Sequence, residues 1–270
     1  MTPLSNNTLE ILKLTNILNS NLSATQFISD IPILDFQIDD FRYVAPQQLF
    51  EQKMISRNAY DTLIKGRKWH KEFPSTGAIG LIQSVRRALN NSKDKYTIIF
   101  EEDNVCDTNV LYEETKFLIE RNIDFDIAVF GATIFGTYTH LHTRKSWLVA
   151  GNNEFFYFMR THCILYHPKI KQKILDVLSE PQEVQYDALL SFLISQQNLR
   201  SLFFQGACRQ KFHVTSAIQD VCYVCNFSNE SFTIILYYSY FLTLCFVIAI
   251  LYTIRTHVMR YHTYYKVDGK

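Results

Sequence analysis

The stretch YTIIFEEDNV, residues 96–105, decides the fold class of this chain. Its first five residues form an apolar run, rich in β-branched side chains, of the kind found in buried parallel strands. A helical pattern follows around residues 109–121, and DIAVF, residues 126–130, is a second apolar run that Gly131 closes. A strand, a helix and a strand at this spacing predict a βαβ unit. The chain is therefore expected to contain an α/β domain with a mixed or parallel sheet flanked by helices.

The segments on either side continue the alternation. GAIGLIQSVRRALNN, residues 77–91, predicts an amphipathic helix in which Ile82, Val85 and Leu89 share the buried face. Further strands are predicted at residues 33–36 and 155–159, and further helices at residues 46–65, 168–178 and 186–194. No internal repeat or low-complexity tract interrupts this pattern.

Composition limits the classes of function. The 270-residue chain is 47% hydrophobic and has a formal net charge of +1. This hydrophobic content predicts a folded core and excludes disorder. Because the net charge is close to zero, any polyanion must be bound by a local patch rather than by a global field. Nothing in the sequence predicts a nucleic-acid partner.

The cysteines are scattered along the chain, and we expect no disulfide framework from them. They are Cys106, Cys163, Cys208, Cys222, Cys225 and Cys245. Cys222 and Cys225 form a C-x-x-C without a second pair, which argues against a zinc site. A redox pair remains an alternative to two incidental cysteines in a linker.

Residues 232–254 contain no charged side chain. A helix needs roughly 20 apolar residues to cross the hydrocarbon core of a bilayer, so this segment predicts a transmembrane helix; a fully buried helix is the alternative. The N-terminus shows no secretory signal. We therefore expect a tail anchor, with a domain over residues 1–221 on the cytosolic side, a linker over 222–231 and a short basic tail over 255–270.

The basic tail disagrees with that orientation. Arg255, Arg260, Lys266 and Lys270 follow the predicted span, and by the positive-inside rule they would hold the tail in the cytosol. The domain would then face the lumen. The N-x-S sequons at Asn226 and Asn229 would be open to glycosylation in that case, so a glycosidase gel shift separates the two orientations.

An acidic triplet follows the first predicted strand. In an open α/β sheet, ligands bind beyond the carboxyl ends of the strands, where Glu101, Glu102 and Asp103 stand. Three adjacent carboxylates repel one another, and Mg²⁺ or Mn²⁺ bridging to a diphosphate would neutralise them. Glu101 and Asp103 would then project to one side and Glu102 to the other. A solvated acidic turn that opens the next helix is an equally open interpretation.

GAIGLIQSVRRAL followed by YTIIFEEDNV resembles the core of the family-25 glycosyltransferases, in which a Gly-x-x-Gly helix start precedes a strand that ends in acidic residues. The resemblance covers roughly residues 75–220 and implies a glycosyltransferase-like, GT-A-type fold. It implies a metal site at Glu101 and Asp103, and contacts to a nucleotide sugar from Glu102 and Asn104. VQYDALLSFLI resembles the segment of that family that holds a second carboxylate, here Asp187, a candidate catalytic base.

The segments DKYTIIFEEDNV and FLIERNIDFDIAVF, with the C-terminal anchor, resemble the poxvirus immunodominant heparin-binding envelope proteins. This resemblance implies a protein of the virion membrane, made at host intracellular membranes, that attaches the virion to cell-surface heparan sulfate or another sulfated glycosaminoglycan. A nucleotide sugar would be a retained or vestigial ligand. We expect this envelope function first; a membrane-anchored, metal-dependent glycosyltransferase is the alternative.

The heparan patch is predicted around IKGRKWHK, residues 64–71, in which Trp69 can stack on a sugar ring. The predicted heparan-binding residues are Lys65, Arg67, Lys68, His70, Lys71, Arg86, Arg87, Lys93 and Lys95. A solvated basic loop is the alternative interpretation of the run. A second group of lysines, Lys169, Lys171 and Lys173, is expected to lie on an exposed helix end.

Overall fold

A computed structural model of the chain describes residues 4, 8–15, 27–28, 31–69, 71–102, 104–150, 156–159, 163–197, 199–204, 206–210 and 239–255. The chain divides into two compact units, residues 1–221 and residues 222–270. The first unit carries all the strands and six of the helices that are described below.

The elements of the first unit alternate as an α/β domain should. In chain order the strands are β1 (Leu9–Thr15), β2 (Phe27–Ile28), β3 (Ile31–Gln37), β4 (Tyr96–Glu101), β5 (Asn104–Cys106), β6 (Ile127–Phe130), β7 (Thr133–Phe135), β8 (Tyr138–Leu141), β9 (Arg144–Ala150), β10 (Tyr157–Met159), β11 (Cys163–Tyr166), β12 (Ser201–Phe204) and β13 (Cys208–Gln210). The helices are α1 (Pro46–Glu51), α2 (Arg57–Lys65), α3 (Gly77–Asn91), α4 (Thr108–Glu120), α5 (Pro168–Ser179) and α6 (Tyr186–Gln197).

Nine of these strands form one mixed sheet in the order β2-β3-β1-β4-β11-β6-β12-β9-β8. Strands β3, β1 and β4 are parallel, and β6 and β12 run in the same direction as they do. The carboxyl ends of these five strands therefore lie along one edge, called here the carboxyl edge. The predicted α/β domain, with a mixed sheet flanked by helices, is confirmed.

The predicted βαβ unit is present as β4, α4 and β6, with one difference. Strand β11 lies between β4 and β6 and runs antiparallel to both. A strand that arrives from a later part of the chain cannot be read from a local pattern, because the apolar run of β11 looks the same in either direction.

The two faces of the sheet are covered by different helices. Helices α3, α5 and α6 pack on the face that bears Ile99 and Tyr166. Helix α4 packs on the opposite face, against Phe100 and Phe130. Since side chains alternate along a strand, Glu101 leaves β4 on the same face as Ile99, toward the layer of α6.

Two predicted elements have different bounds. Residues 46–65 form two helices rather than one: Lys53, with a φ of 56°, follows the first, and the Ser56 side chain caps the second by accepting a hydrogen bond from the backbone of Ala59. The strand predicted at 155–159 is described from Tyr157, and it pairs with β7 outside the large sheet.

Helix α3 buries the predicted face, with Ile82, Val85 and Leu89 all in the core. Its second glycine has a steric role, because a Cβ at Gly80 would overlap the backbone carbonyl of Asp39. The loop after β3 is thus held tightly against the first turns of α3, close to the carboxyl edge.

The second unit is described only over residues 239–255, which form a helix with exposed apolar side chains. Within the described part of the chain, no helix combines the length and the apolar character needed to traverse a bilayer. The start of the predicted span, residues 232–238, lies outside the described residues, as do the predicted linker and the tail beyond residue 255.

Candidate functional site

The end of β4 places two carboxylates on the carboxyl edge. Glu101 is partly buried on the α6 face, and Glu102, in the following turn, is exposed. Asp103, the third member of the acidic triplet, lies outside the described residues. Glu101 and Glu102 are therefore the members of the acidic triplet whose positions the structure describes.

A pair of buried tyrosines lies on the α6 face of the sheet, within reach of the charge of Glu101. The hydroxyl oxygens of Tyr166 on β11 and Tyr186 on α6 are 2.7 Å apart, and both side chains are buried. Burial, then the neighbouring Tyr186 and the negative charge of Glu101, raise the pKa of Tyr166, and burial raises the pKa of Tyr186. Both phenols stay protonated at neutral pH, and Glu101 is close enough for its charge to act on the pair.

Asp187 follows Tyr186 and stands in the first turn of α6, where its Oδ1 accepts a hydrogen bond of 2.8 Å from the Ala188 backbone. Burial and the charge of Asp187 raise the pKa of Tyr157 on β10 to about 12, although a hydrogen bond with Gln185 opposes this shift. Glu101 therefore acts on Tyr166 and Asp187 acts on Tyr157, and both carboxylates belong to the α6 side of the sheet.

Sequence reasoning did not single out these tyrosines as site residues. Tyr157, Tyr166 and Tyr186 occur in apolar runs, where an aromatic side chain usually belongs to the core. Only the hydroxyl pairing and the neighbouring carboxylates, which depend on three separate elements, distinguish them from ordinary packing residues.

The basic loop meets the start of α6. The backbone N–H of Gln185 donates to the carbonyl of Lys71 at 3.0 Å, so one end of the loop lies beside Asp187. Lys65, Arg67 and Lys68 are exposed, and Trp69 is 67% exposed. His70 lies outside the described residues.

Glu72 holds the tip of this loop. Its Oε2 accepts hydrogen bonds from the backbone N–H groups of Trp69, at 2.9 Å, and Lys68, at 2.5 Å. These two backbone hydrogen bonds keep the pKa of Glu72 below its usual range. The loop is thereby turned so that its backbone is satisfied internally while the cationic side chains face solvent.

The other predicted heparan residues lie elsewhere. The Arg87 guanidinium lies 4.8 Å from the ring centroid of Phe36 and 3.4 Å from the carboxylate of Asp39, so it holds the loop after β3. Arg86 donates to Gln83 at 3.3 Å.

Lys93 and Lys95 come after α3, whereas the basic loop comes before it. The helix has 15 residues and is therefore about 22 Å long. Among the described residues, the cations of the basic loop therefore precede α3, Arg86 and Arg87 lie within it, and Lys93 and Lys95 follow its far end.

The cysteines require a correction. Cys106 and Cys208 form a disulfide that joins β5 to β13 across a separation of 102 residues. The buried thiol of Cys163 lies beside them, and the three sulfur atoms are all within 4.8 Å of one another. Asn104, predicted to contact a nucleotide sugar, donates from its Nδ2 to the sulfur of Cys106 at 3.1 Å. Cys222 and Cys225 lie outside the described residues.

The fit of the site to a hard cation is limited. Among the described residues, the three cysteines are the one group of three or more candidate ligands close enough together to hold a metal ion. The described carboxylates form no such group, and Asp103 lies outside the described part. Mg²⁺ or Mn²⁺ at Glu101 and Asp103 therefore stays a prediction.

The expectation for the second lysine group is wrong for its central member. Lys171 is buried, and its Nζ donates to the carbonyls of Ser92 and Lys95 and to the Thr97 hydroxyl, the last two at 2.6 Å each. Burial lowers the pKa of Lys171 to about 8. The lysine ties α5 to the amino end of β4, far from the carboxyl edge.

No family model and no curated protein matches this sequence. Among solved structures, a UDP-glucose pyrophosphorylase complexed with UDP-glucose is similar at 11% identity and a TM-score of 0.39, over 75% of this chain and 92% of that chain. HddC from Yersinia pseudotuberculosis is similar at 14% identity and a TM-score of 0.29, over 74% of this chain and 91% of that chain. Similarity at this level assigns neither a family nor an activity to the chain.

Proposed function

We propose that the carboxyl edge of the sheet binds a nucleotide sugar. The observation that carries the proposal is the placement of Glu101 at the carboxyl end of β4, on the sheet face covered by α6, whose first turn bears Asp187. Each carboxylate acts on a neighbouring tyrosine, Glu101 on Tyr166 and Asp187 on Tyr157. In open α/β sheets this edge is where ligands bind. The resemblance to family-25 glycosyltransferases leads to the same ligand class.

The chemistry of these groups suits a sugar. Carboxylates accept hydrogen bonds from sugar hydroxyls, and such charge-assisted bonds are stronger than neutral ones. Glu101 and Asp187 would hold the sugar hydroxyls, while the phenol of Tyr157 lies next to Asp187. The basic loop meets the start of α6, and its cations would lie on the side that a diphosphate approaches. In an active transferase, Asp187 would be the base for the acceptor hydroxyl.

The test is calorimetric titration of the full-length chain, held in detergent micelles, with UDP-glucose. Glu101→Gln removes the charge and keeps the shape, and loss of a charge-assisted hydrogen bond predicts a tenfold or larger rise in Kd. Glu120→Gln is the matched control, because Glu120 is an exposed carboxylate at the end of α4. An absence of binding by the unmodified chain, or an unchanged Kd in Glu101→Gln, would contradict the proposal.

We propose as a second function that the basic loop binds heparan sulfate and attaches a virion to its host cell, with residues 232–254 anchored in the virion membrane. The exposed indole of Trp69 favours it, because an aromatic ring 67% open to solvent beside exposed cations provides a surface on which a sugar ring can stack. Together with the resemblance to poxvirus heparin-binding envelope proteins, this makes sulfated glycans the ligand to test.

A heparin column separates this function from a merely solvated loop. Replacing Arg67 and Lys68 by Ala should lower the salt concentration at elution. With fewer cations on the loop, binding would release fewer counterions from heparin and would be weaker. The matched control replaces Lys93 and Lys95, which lie past the other end of α3. Equal elution of the loop variant and the parent chain would reject the loop as the binding site. Release of the full-length chain from membranes at alkaline carbonate pH would reject the anchor.

A further inference from the structure

Three cysteines from three strands converge beside the carboxyl edge. Cys106 ends β5, Cys163 begins β11 and Cys208 begins β13. Their sulfur atoms all lie within 4.8 Å of one another. Cys163 and Cys208 are buried and Cys106 is partly buried, so the cluster has one side directed toward solvent.

We propose that Cys106, Cys163 and Cys208 bind one thiophilic metal ion, Zn²⁺ or Cu⁺, once a dithiol reductant has opened the Cys106–Cys208 disulfide. In the reduction, the dithiol is oxidised to its own disulfide and supplies two electrons and two protons, which yield two cysteine thiols. Binding of the ion then displaces the protons from the thiols to solvent, since thiolates are the ligands of such metals.

The donor set selects the metal class. Three sulfur atoms, without a carboxylate or histidine in the described group, suit Zn²⁺ and Cu⁺ and disfavour Mg²⁺ or Ca²⁺. A Zn–S bond of about 2.3 Å in a tetrahedral site places sulfurs about 3.8 Å apart. After the disulfide opens, the Cys106 and Cys208 sulfurs would separate to that spacing, and the Cys163 sulfur already lies within 4.8 Å of both. The partly buried side at Cys106 leaves room for solvent as a fourth ligand.

The surroundings already fix the ligands. Asn104 donates to the Cys106 sulfur at 3.1 Å, and an N–H directed at a ligating atom stabilises its negative charge. The β5–β13 pairing places Cys106 opposite Cys208, and β11 pairs Cys163 with Phe100. A Cβ at Gly131 would overlap the carbonyl of Cys208, so the backbone there is closely packed. Backbone pairing therefore holds all three sulfurs in place without the disulfide.

The alternative is a permanent structural disulfide between Cys106 and Cys208, with the buried thiol of Cys163 beside it. Burial raises the pKa of the Cys163 thiol, so without a metal it stays protonated and behaves as a small apolar side chain. The two possibilities differ in one measurable respect, because only metal binding makes Cys163 a partner of the other two sulfurs in the reduced chain.

The experiment uses the full-length chain with Cys222, Cys225 and Cys245 replaced by Ser, so that only the cluster holds thiols. After reduction with a dithiol and desalting under nitrogen, Zn²⁺ titration should give one ion per chain, and the oxidised chain should bind none. Cys163→Ala should weaken binding at least a hundredfold. Absence of uptake by the reduced chain, or equal affinity in Cys163→Ala, would overturn the proposal.

A second measurement, zinc X-ray absorption on the zinc-loaded chain, does not depend on whether Cys163→Ala folds. It counts the sulfur neighbours without any substitution inside the cluster, and the proposal requires three. A count of two sulfurs would contradict a site built from all three cysteines. Addition of a low-molecular-weight disulfide should then release the ion, as Cys106 and Cys208 pass two electrons to the reagent and reform their bond.

Discussion

The two ends of strand β4 use charge in opposite ways. At the amino end, the buried ammonium of Lys171 donates to the Lys95 carbonyl and the Thr97 hydroxyl. At the carboxyl end, Glu101 is partly buried and Glu102 is exposed. The amino end directs its charge into the protein, whereas the carboxyl end directs it toward a place that a ligand can reach. A charged group at a strand end is thus structural or functional according to what surrounds it, and the residue type alone does not decide.

Exposed charged side chains at the amino end also have structural partners. Lys169 contacts Asp124 at 2.6 Å, and Arg200 contacts the same carboxylate at 2.8 Å. The hydrogen bonds from Lys169 and Arg200, with their positive charges, lower the pKa of Asp124. These partners join the loop before β6, the start of α5 and the start of β12, so the charges hold the edge together.

The largest expected effect is on stability at the amino end. Lys171→Ala removes the donor to the carbonyl and hydroxyl of Ser92, the carbonyl of Lys95 and the hydroxyl of Thr97. We expect the free energy of unfolding to fall by about 3 kcal/mol. Urea denaturation, followed by the fluorescence of the buried Trp147 in a Trp69→Phe background, measures the change.

The control lies two residues away on the same helix. Lys173 is exposed, and Lys173→Ala should change the free energy of unfolding by no more than about 0.5 kcal/mol. Equal effects of the two substitutions would show that the hydrogen bonds of Lys171 do not stabilise the amino end of β4. The contrast between the two ends of the strand would then be wrong.

The error over Lys171 has a clear physical source. Residues two apart on a helix point in nearly opposite directions, so Lys171 cannot share a face with Lys169 and Lys173. It falls instead on the apolar face, three and four residues before Ile174 and Leu175. The sequence contained this signal, but the run of lysines was interpreted as one exposed group.

Features that depend on a local sequence pattern could be predicted, and features that depend on long-range pairing could not. Strand β4 and the buried face of α3 follow from local periodicity, and both were predicted correctly. The disulfide depends on pairing between β5 and β13, and its cysteines are 102 residues apart. Long-range pairing of this kind leaves no local pattern, which is also why Tyr166 and Tyr186 were not recognised as neighbours.

The second effect concerns the buried tyrosine pair on the α6 face of the sheet. Tyr186→Phe removes one hydroxyl of the buried pair and leaves the Tyr166 hydroxyl without this partner, which should cost about 1–2 kcal/mol of unfolding free energy. The double variant Tyr166→Phe/Tyr186→Phe removes both polar groups and should recover about half of the loss. A double-mutant cycle by urea denaturation measures the coupling. Additive losses would show that the hydroxyls are not coupled.

The smallest effect is a pH dependence at the amino end. His167 caps α5 by accepting the Lys169 backbone N–H at Nδ1, and its Nε2 lies 3.1 Å from the Tyr96 hydroxyl. Burial, and then the positive charge of Lys169, lower the pKa of His167 against the opposing charges of Asp126 and Asp124. The folded chain therefore takes up this proton less readily than the unfolded chain.

The sign of the pH dependence follows. The stabilising contribution is complete above the unfolded pKa of about 6.5 and is lost as the pH falls toward the lower folded pKa. We expect the unmodified chain to lose more of its free energy of unfolding than His167→Asn between pH 7 and pH 5, because Asn caps without titrating. Identical pH profiles in urea denaturation would contradict the role of His167 as a neutral cap.

The contrast between the two ends of β4 is tested most directly by hydrogen–deuterium exchange of the full-length chain with and without UDP-glucose. The nucleotide-sugar proposal predicts slower exchange at residues 98–102 and 186–190, with no change at residues 92–97 and 167–173. Protection confined to the amino end, or no protection at saturating UDP-glucose, would contradict it.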